Sequence, residues 1–155
     1  VEPLSYQIGI LHKNVGKDNV KIIQGAITDK KKIEISWDEM TENVPTFSFR
    51  EFLDEYKINK IDFLKCDCEG GEYDVFQESN IKFLKSIPKI VTEFHLNNDS
   101  NYHECKFRWF RDNILPKFNK IQVFSVDGVD IKWDLWNDHF IEYYNEVIVY
   151  IDNRQ

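Results

Sequence analysis

The sequence predicts an α/β fold with a mostly parallel sheet and an antiparallel C-terminal strand. Three observations lead there. Helix-like and strand-like hydrophobic patterns alternate along the chain. Residues 61–68 are nearly continuously apolar at Ile61, Phe63, Leu64 and Cys66, which suits a strand buried on both faces. Two strand patterns, 121–124 and 147–151, close the chain with no clear helix between them, so an antiparallel edge is expected there. The 155 residues are 42% hydrophobic, which is enough for one domain, 1–155, with its own core.

The elements follow in order. Pro3 suits a first helical position, and Leu4, Ile8, Leu11 and Val15 recur at helical spacing, with Gly16 as C-cap. Residues 20–37 read as two strands around the polar turn 29–32: Val20, Ile22 and Ile23 mark one, Ile33 and Ile35 the other. Residues 38–46 are polar and contain Pro45, so they read as a loop. Ser48 is an N-cap for a helix through Tyr56, with Glu51 placed to complete a capping box and Phe49, Phe52 and Leu53 on one face. The strand 61–68 is broken by Glu69-Gly70-Gly71-Glu72, and short helical turns follow at 73–78 and near Phe83. Pro88 precedes a strand over 89–95. Residues 97–101 form a polar loop, and 103–115 form a helix carrying Phe107, Phe110, Ile114 and Leu115, ended by Pro116. The aromatic-rich stretch 129–144 has no clear period, and 147–151 is the last strand.

Charge and composition exclude several functions. Twenty Lys and Arg against 27 Asp and Glu give a net charge of −7, which argues against a nucleic-acid binder. No apolar run approaches the ~18 residues of a membrane span. Three cysteines do not make a secreted disulfide framework, so a reducing, cytoplasmic setting is expected.

In an open parallel sheet, ligands bind beyond the carboxyl ends of the strands. The polar residues at those ends are Glu2, then Asp67 and Glu69, then Glu93 and His95. Glu2 suits ribose hydroxyls, or equally a helix N-terminus that stabilises an acid. Lys65, Asp67 and Glu69 share a strand face, and Lys65 pairs with Asp67 or Glu72. Gly70-Gly71 permits a sharp turn or a close approach to a ligand. His95 is a candidate general base, since an imidazole takes a proton near neutral pH. Cys66, Cys68, Cys105 and His103 lack zinc-knuckle spacing, and the alternate pair Cys66 and Cys68 reads as buried thiols. A hard metal held by Asp67, Glu93 and His95 is a further reading. Trp109, Trp133 and Trp136 suit either the core or the rim of a pocket, and 130–144 reads as rim or lid.

The run Ile61-Asp62-Phe63-Leu64-Lys65-Cys66-Asp67-Cys68-Glu69-Gly70-Gly71-Glu72, continuing to Val75-Phe76, resembles the central signature of the FkbM methyltransferase family. Val1-Glu2-Pro3 with Asn14-Val15 looks like that family's Val-Glu-Pro segment. Residues 23–28 are similar to its next strand, and Glu93-Phe94-His95 to its strand ending in an acid and a histidine.

The resemblance implies a Rossmann-like class I fold, with a seven-stranded sheet whose last strand is antiparallel, binding S-adenosylmethionine. By that likeness Glu2 holds the ribose hydroxyls, Gly25, Ala26 and Ile27 flank the adenine, and Asp67 lies near the methionine end. Glu69, Glu93 and His95 face the acceptor, a hydroxyl of a sugar, glycan or natural product. His95 is the first candidate for taking the hydroxyl proton, with Asp67 or Glu93 next.

Family members carry a first strand and a Gly-rich turn ahead of the Val-Glu-Pro segment. Here the sequence starts at Val1 and holds no Gly-x-Gly, so an N-terminally incomplete domain with an incomplete cofactor site is expected. Unpaired strand edges would then find partners, through altered pairing of 20–36 or through a homodimer. The alternatives are a cofactor-incompetent, self-associating α/β domain and a metal-binding α/β protein.

Overall fold

The computed structural model describes residues 1–15, 19–37, 40–96, 102–137 and 139–154. The expected C-cap Gly16 and the loop 97–101 lie outside the described residues. The chain divides into two units, Val1–Lys57 and Ile58–Gln155.

In the first unit, Glu2 forms a parallel bridge with Gln24: its N–H donates to Ile23 O (3.0 Å), and its carbonyl accepts from Gly25 N–H (3.0 Å). Helix α1 spans Ser5–Asn14 and starts two residues later than Pro3 predicts. The reason is local. Glu2 Oε1 takes the Leu4 N–H at 2.9 Å, and Leu4 stays extended as the N-cap. Ser5 then donates its amide and its hydroxyl to Glu42 Oε2, at 3.1 and 2.9 Å.

Strand β1 (Ala26–Ile27) runs parallel to β4 (Thr46–Phe47), while β2 (Ile33–Trp37) and β3 (Met40–Val44) form an antiparallel hairpin. Two expectations are corrected here. Residues 20–23 are not a strand, and 40–44 and Thr46, read as loop, lie in strands. Pairing decides both cases. Thr41 and Val44 carry β propensity too sparse to stand out until Ser36 and Ile33 lie opposite them. The capping box is present: Ser48 Oγ accepts Glu51 N–H, Glu51 Oε2 accepts Ser48 N–H at 2.9 Å, and α2 spans Phe49–Glu55.

The second unit holds β5 (Phe63–Cys66), α3 (Glu72–Val75), α4 (Ile81–Leu84), β6 (Lys89–His95), α5 (Tyr102–Trp109), β7 (Lys120–Ser125), α6 (Phe140–Tyr143) and β8 (Glu146–Asp152). Its sheet has the order β5-β6-β8-β7. Only β5 and β6 are parallel, and β8 runs antiparallel to both of its neighbours. The sheet is therefore not mostly parallel. The closing strand is antiparallel as expected, but it is inserted between β6 and β7 rather than left at an edge. Val147, Val149 and Ile151 are all buried, and a strand that apolar belongs inside a sheet.

Strand β5 is shorter than expected and is not buried on both faces. Among the described residues it pairs with β6 only, and Phe63 is 55% exposed while Cys66 is buried. Ile90, Thr92 and Phe94 alternate into the core. There Phe94 meets Phe110 (ring centroids 4.2 Å), Tyr73 (5.3 Å), Phe76 (5.5 Å) and Phe107 (5.9 Å). After α5 the helix widens into a π turn, Phe110–Ile114, and then tightens into a 3-10 turn, Leu115–Lys117, which accommodates Pro116 in its first turn. In 129–144, Ile131, Leu135, Phe140 and Ile141 are buried, whereas Trp133 and Trp136 are exposed. Those two tryptophans are therefore not core. Trp109 is exposed as well.

Candidate functional site

The site is built where β5 and β6 end. Cys66 and Thr92 make the last β5–β6 register pair; beyond it Asp67 leaves the sheet, while Glu93 and His95 stay paired with Ile148 and Glu146 of β8. The chain then turns through Glu69 (φ 50°) and Gly70 (φ 98°), a left-handed pair that the Gly-Gly step makes affordable at one position. Glu69 has no such freedom and holds this conformation within the turn. Gly71 N–H closes the turn on Cys68 O at 3.1 Å, and α3 begins.

Glu72 folds back beneath the turn and is fully buried. Its Oε1 accepts the Cys68 N–H at 3.1 Å and lies 2.8 Å from His95 Nδ1. Nε2 of the same ring lies 3.3 Å from Glu69 Oε2. Tyr73 Oη donates to the His95 carbonyl at 2.9 Å, which ties the strand end to α3. Opposite His95 in β8 stands Glu146. Ligand-capable atoms of Asp67, Glu72 and His95 lie within 4.8 Å of one another, as do those of Glu93, His95 and Glu146.

This setting shapes the local acid–base behaviour. Glu72, hydrogen-bonded to the ring, raises the His95 pKa to about 9 against the opposing effect of burial, with the charges of Glu72, Glu69 and Glu146 adding to the rise. His95 is thus an imidazolium at neutral pH. Burial raises the Glu93 carboxyl above its ordinary range, with the charges of Asp67 and Glu146 in the same sense and those of His95 and Lys65 opposing. Lys65 pairs with Asp67 at 2.9 Å, and that hydrogen bond raises the lysine.

The thiols Cys66 and Cys68 lie 3.6 Å apart, on one side as the alternation predicts. Cys66 is buried, and its hydrogen bond to Cys68 together with desolvation pushes its pKa well up. Neither joins a metal-binding cluster among the described residues. Cys105 is exposed, and the side chain of His103 lies outside the described residues.

Asp67, Glu69, Glu93 and His95 are therefore brought together in the second unit. Glu2 and Gly25, Ala26 and Ile27 are brought together in the first, on adjoining extended segments linked by the Glu2–Gln24 bridge. Sequence reasoning missed Glu72 as the partner of His95, and Glu146. The signal for Glu72 was an acid four residues after Cys68 at the start of a helix, a position suited to folding back onto a free N–H. Glu146, by contrast, becomes visible only through its register with His95.

A family model for the methyltransferase FkbM domain matches residues 8–128. The chain belongs to the FkbM methyltransferase family. The FkbM match spans the whole turn from Asp67 to Glu72 and both Glu93 and His95, while Glu2 and Glu146 fall outside it. Membership in the FkbM family points to methyl transfer. No curated protein and no solved structure matches the chain. Among the described residues, no helix is long and apolar enough to cross a membrane.

Proposed function

We propose that the chain is an S-adenosylmethionine-dependent O-methyltransferase domain whose acceptor, a hydroxyl of a sugar or natural product, meets the cluster at the tips of β5 and β6. The observation that supports this reading most is the convergence of Asp67, Glu69, Glu93 and a Glu72-held His95 at the carboxyl ends of adjacent parallel strands.

The residues present suit the cofactor in kind. Within the first unit, Glu2, whose Oε1 holds the Leu4 amide, would offer its other carboxylate oxygen to ribose hydroxyls beside Gly25, Ala26 and Ile27, which would flank the adenine; within the second unit, Asp67 stands at a strand end of the kind the family likeness gives to the methionine portion. When bound, S-adenosylmethionine supplies an electrophilic methyl group. The chain's own part is orientation and proton handling. His95, held by Glu72 through Nδ1, would turn its Nε2–H from the exposed Glu69 to the acceptor oxygen, and Glu93 or Asp67 takes the hydroxyl proton. Calorimetry with S-adenosylmethionine tests the reading. Saturable binding weakened by Glu2→Ala supports it, and the absence of heat refutes it for this chain.

One observation favours a second reading, a self-associating domain without catalysis. Strand β5 is an edge strand in its sheet and displays Phe63. A dimeric solution mass combined with silence toward S-adenosylmethionine would select it.

A further inference from the structure

The strand-tip cluster holds more negative charge than methyl transfer uses. Carboxylates of Asp67, Glu69, Glu72, Glu93 and Glu146 gather around one imidazole, and the lysine at hand, Lys65, is engaged with Asp67. Acidic clusters are common on surfaces, but two features set this one apart.

The first is Glu72. It is completely buried; Oε1 is shared between Cys68 N–H and His95, and Oε2 has no hydrogen-bond partner. A buried carboxylate oxygen left unpaired is costly unless a nearby positive charge offsets it. Glu72 belongs to the group in which Asp67 and His95 atoms lie within 4.8 Å.

The second is the orientation of the ring. A carboxylate on one imidazole nitrogen, with the other nitrogen turned toward further carboxylates, is the arrangement in which a histidine ligates a metal. Here Glu72 holds Nδ1, and Nε2 faces Glu69 at 3.3 Å. Glu93 stands two residues before His95 on the same strand, and Glu146 stands directly opposite it.

We propose that His95 Nε2, Glu93 and Glu146 bind one divalent cation, the exposed Glu69 giving up its place on Nε2, with Glu72 as the positioning residue that fixes the ring. One imidazole nitrogen with several carboxylate oxygens suits a hard-to-borderline ion such as Mn2+, and the thiols take no part. The inference does not rest on the methyl-transfer reading, because the ion binds with or without S-adenosylmethionine. Ligation at Nε2 releases the imidazolium proton, so His95 and Glu93 do not hold the ion and serve the acceptor at once; Asp67, outside the ligand set, remains the carboxylate for the acceptor proton.

The test is calorimetric titration of the chelator-treated chain with MnCl2, without S-adenosylmethionine. One ion per chain is expected. Glu93→Gln and Glu146→Gln, both at half-buried positions, are each expected to weaken binding at least about tenfold while keeping the wild-type Tm. Glu72→Gln, which keeps the side-chain shape, is expected to weaken binding with all ligands intact, a change that a purely structural role would not produce. Absence of Mn2+ binding overturns the proposal, as does binding that Glu93→Gln and Glu146→Gln leave unchanged.

Discussion

Glu72 Oε1 lies 2.8 Å from His95 Nδ1, joining residues 23 apart in sequence across the ends of two elements. Both side chains are buried, and the same oxygen also receives the Cys68 amide. One carboxylate thus fixes the turn after β5, the first residue of α3 and the ring at the tip of β6. The geometry of the candidate site is a consequence of this contact more than of any single strand.

Removing it should therefore cost stability as well as order. Glu72→Ala leaves a buried imidazolium and a backbone amide without their partner. Breaking a buried charge pair costs about 3–5 kcal/mol, and the exposed Glu69 on the other ring nitrogen moves the expectation to the low end, about 3 kcal/mol. Urea unfolding read through tryptophan fluorescence checks it. A midpoint within error of wild type would show that the contact carries no such weight.

The aromatic core makes a second prediction. Phe94 is fully buried and touches Tyr73, Phe76, Phe107 and Phe110. Phe94→Ala deletes the ring those four share and should cost about 3–5 kcal/mol, with Phe94→Leu costing less. Since Phe94 is flanked by Glu93 and His95, its truncation should also loosen the site. Thermal unfolding of the two variants compares the costs.

Much of this was legible locally. The box at Ser48 and Glu51, the strand at 89–95 and the turn at Glu69-Gly70 are each written within a few residues. What sequence could not resolve was pairing between distant segments. The hairpin strand at 40–44 has weak propensity and depends on 33–37 opposite it. The insertion of β8 beside β6 decides both the mixed sheet and the approach of Glu146 to His95. The reading of 61–68 as doubly buried failed because apolar content does not say how many neighbours a strand has.

Acid should loosen the first unit at α1. Glu42 is held below its ordinary pKa by the Ser5 amide first and then by the Ser5 hydroxyl, against an opposing desolvation, with the Gln24 side chain adding the least. A group whose folded pKa is depressed contributes stability that is present above its unfolded pKa, about 4.3, and is lost as pH falls through the lower folded value. Amide exchange at the start of α1 should therefore be flat from neutral pH down to about pH 5, and rise, after correction for intrinsic rates, below about pH 4. Glu42→Gln should remove most of that pH dependence. A corrected profile identical in wild type and variant would rule Glu42 out as the cause.

Gly25 separates a packing role from a ligand-binding one. The resemblance places it beside the adenine, yet the space a Cβ would occupy is already taken: Phe47 Cε2 lies 2.6 Å and the Pro45 carbonyl 3.2 Å from that point. The ring can yield only by disturbing its edge contacts with Phe52 and Tyr56, at centroid distances of 6.0 and 6.1 Å. Gly25→Ala is thus an overpacking change and should cost about 1–3 kcal/mol. Because the obstruction is mainly a side chain, Gly25→Ala combined with Phe47→Leu should be less destabilised than the sum of the two single variants, by about 1 kcal/mol. Additive costs in that cycle would assign the strain to the backbone instead, at the Pro45 carbonyl or at Gly25 itself (φ 158°). If the double variant regains stability but not S-adenosylmethionine binding, Gly25 serves the ligand as well as the packing.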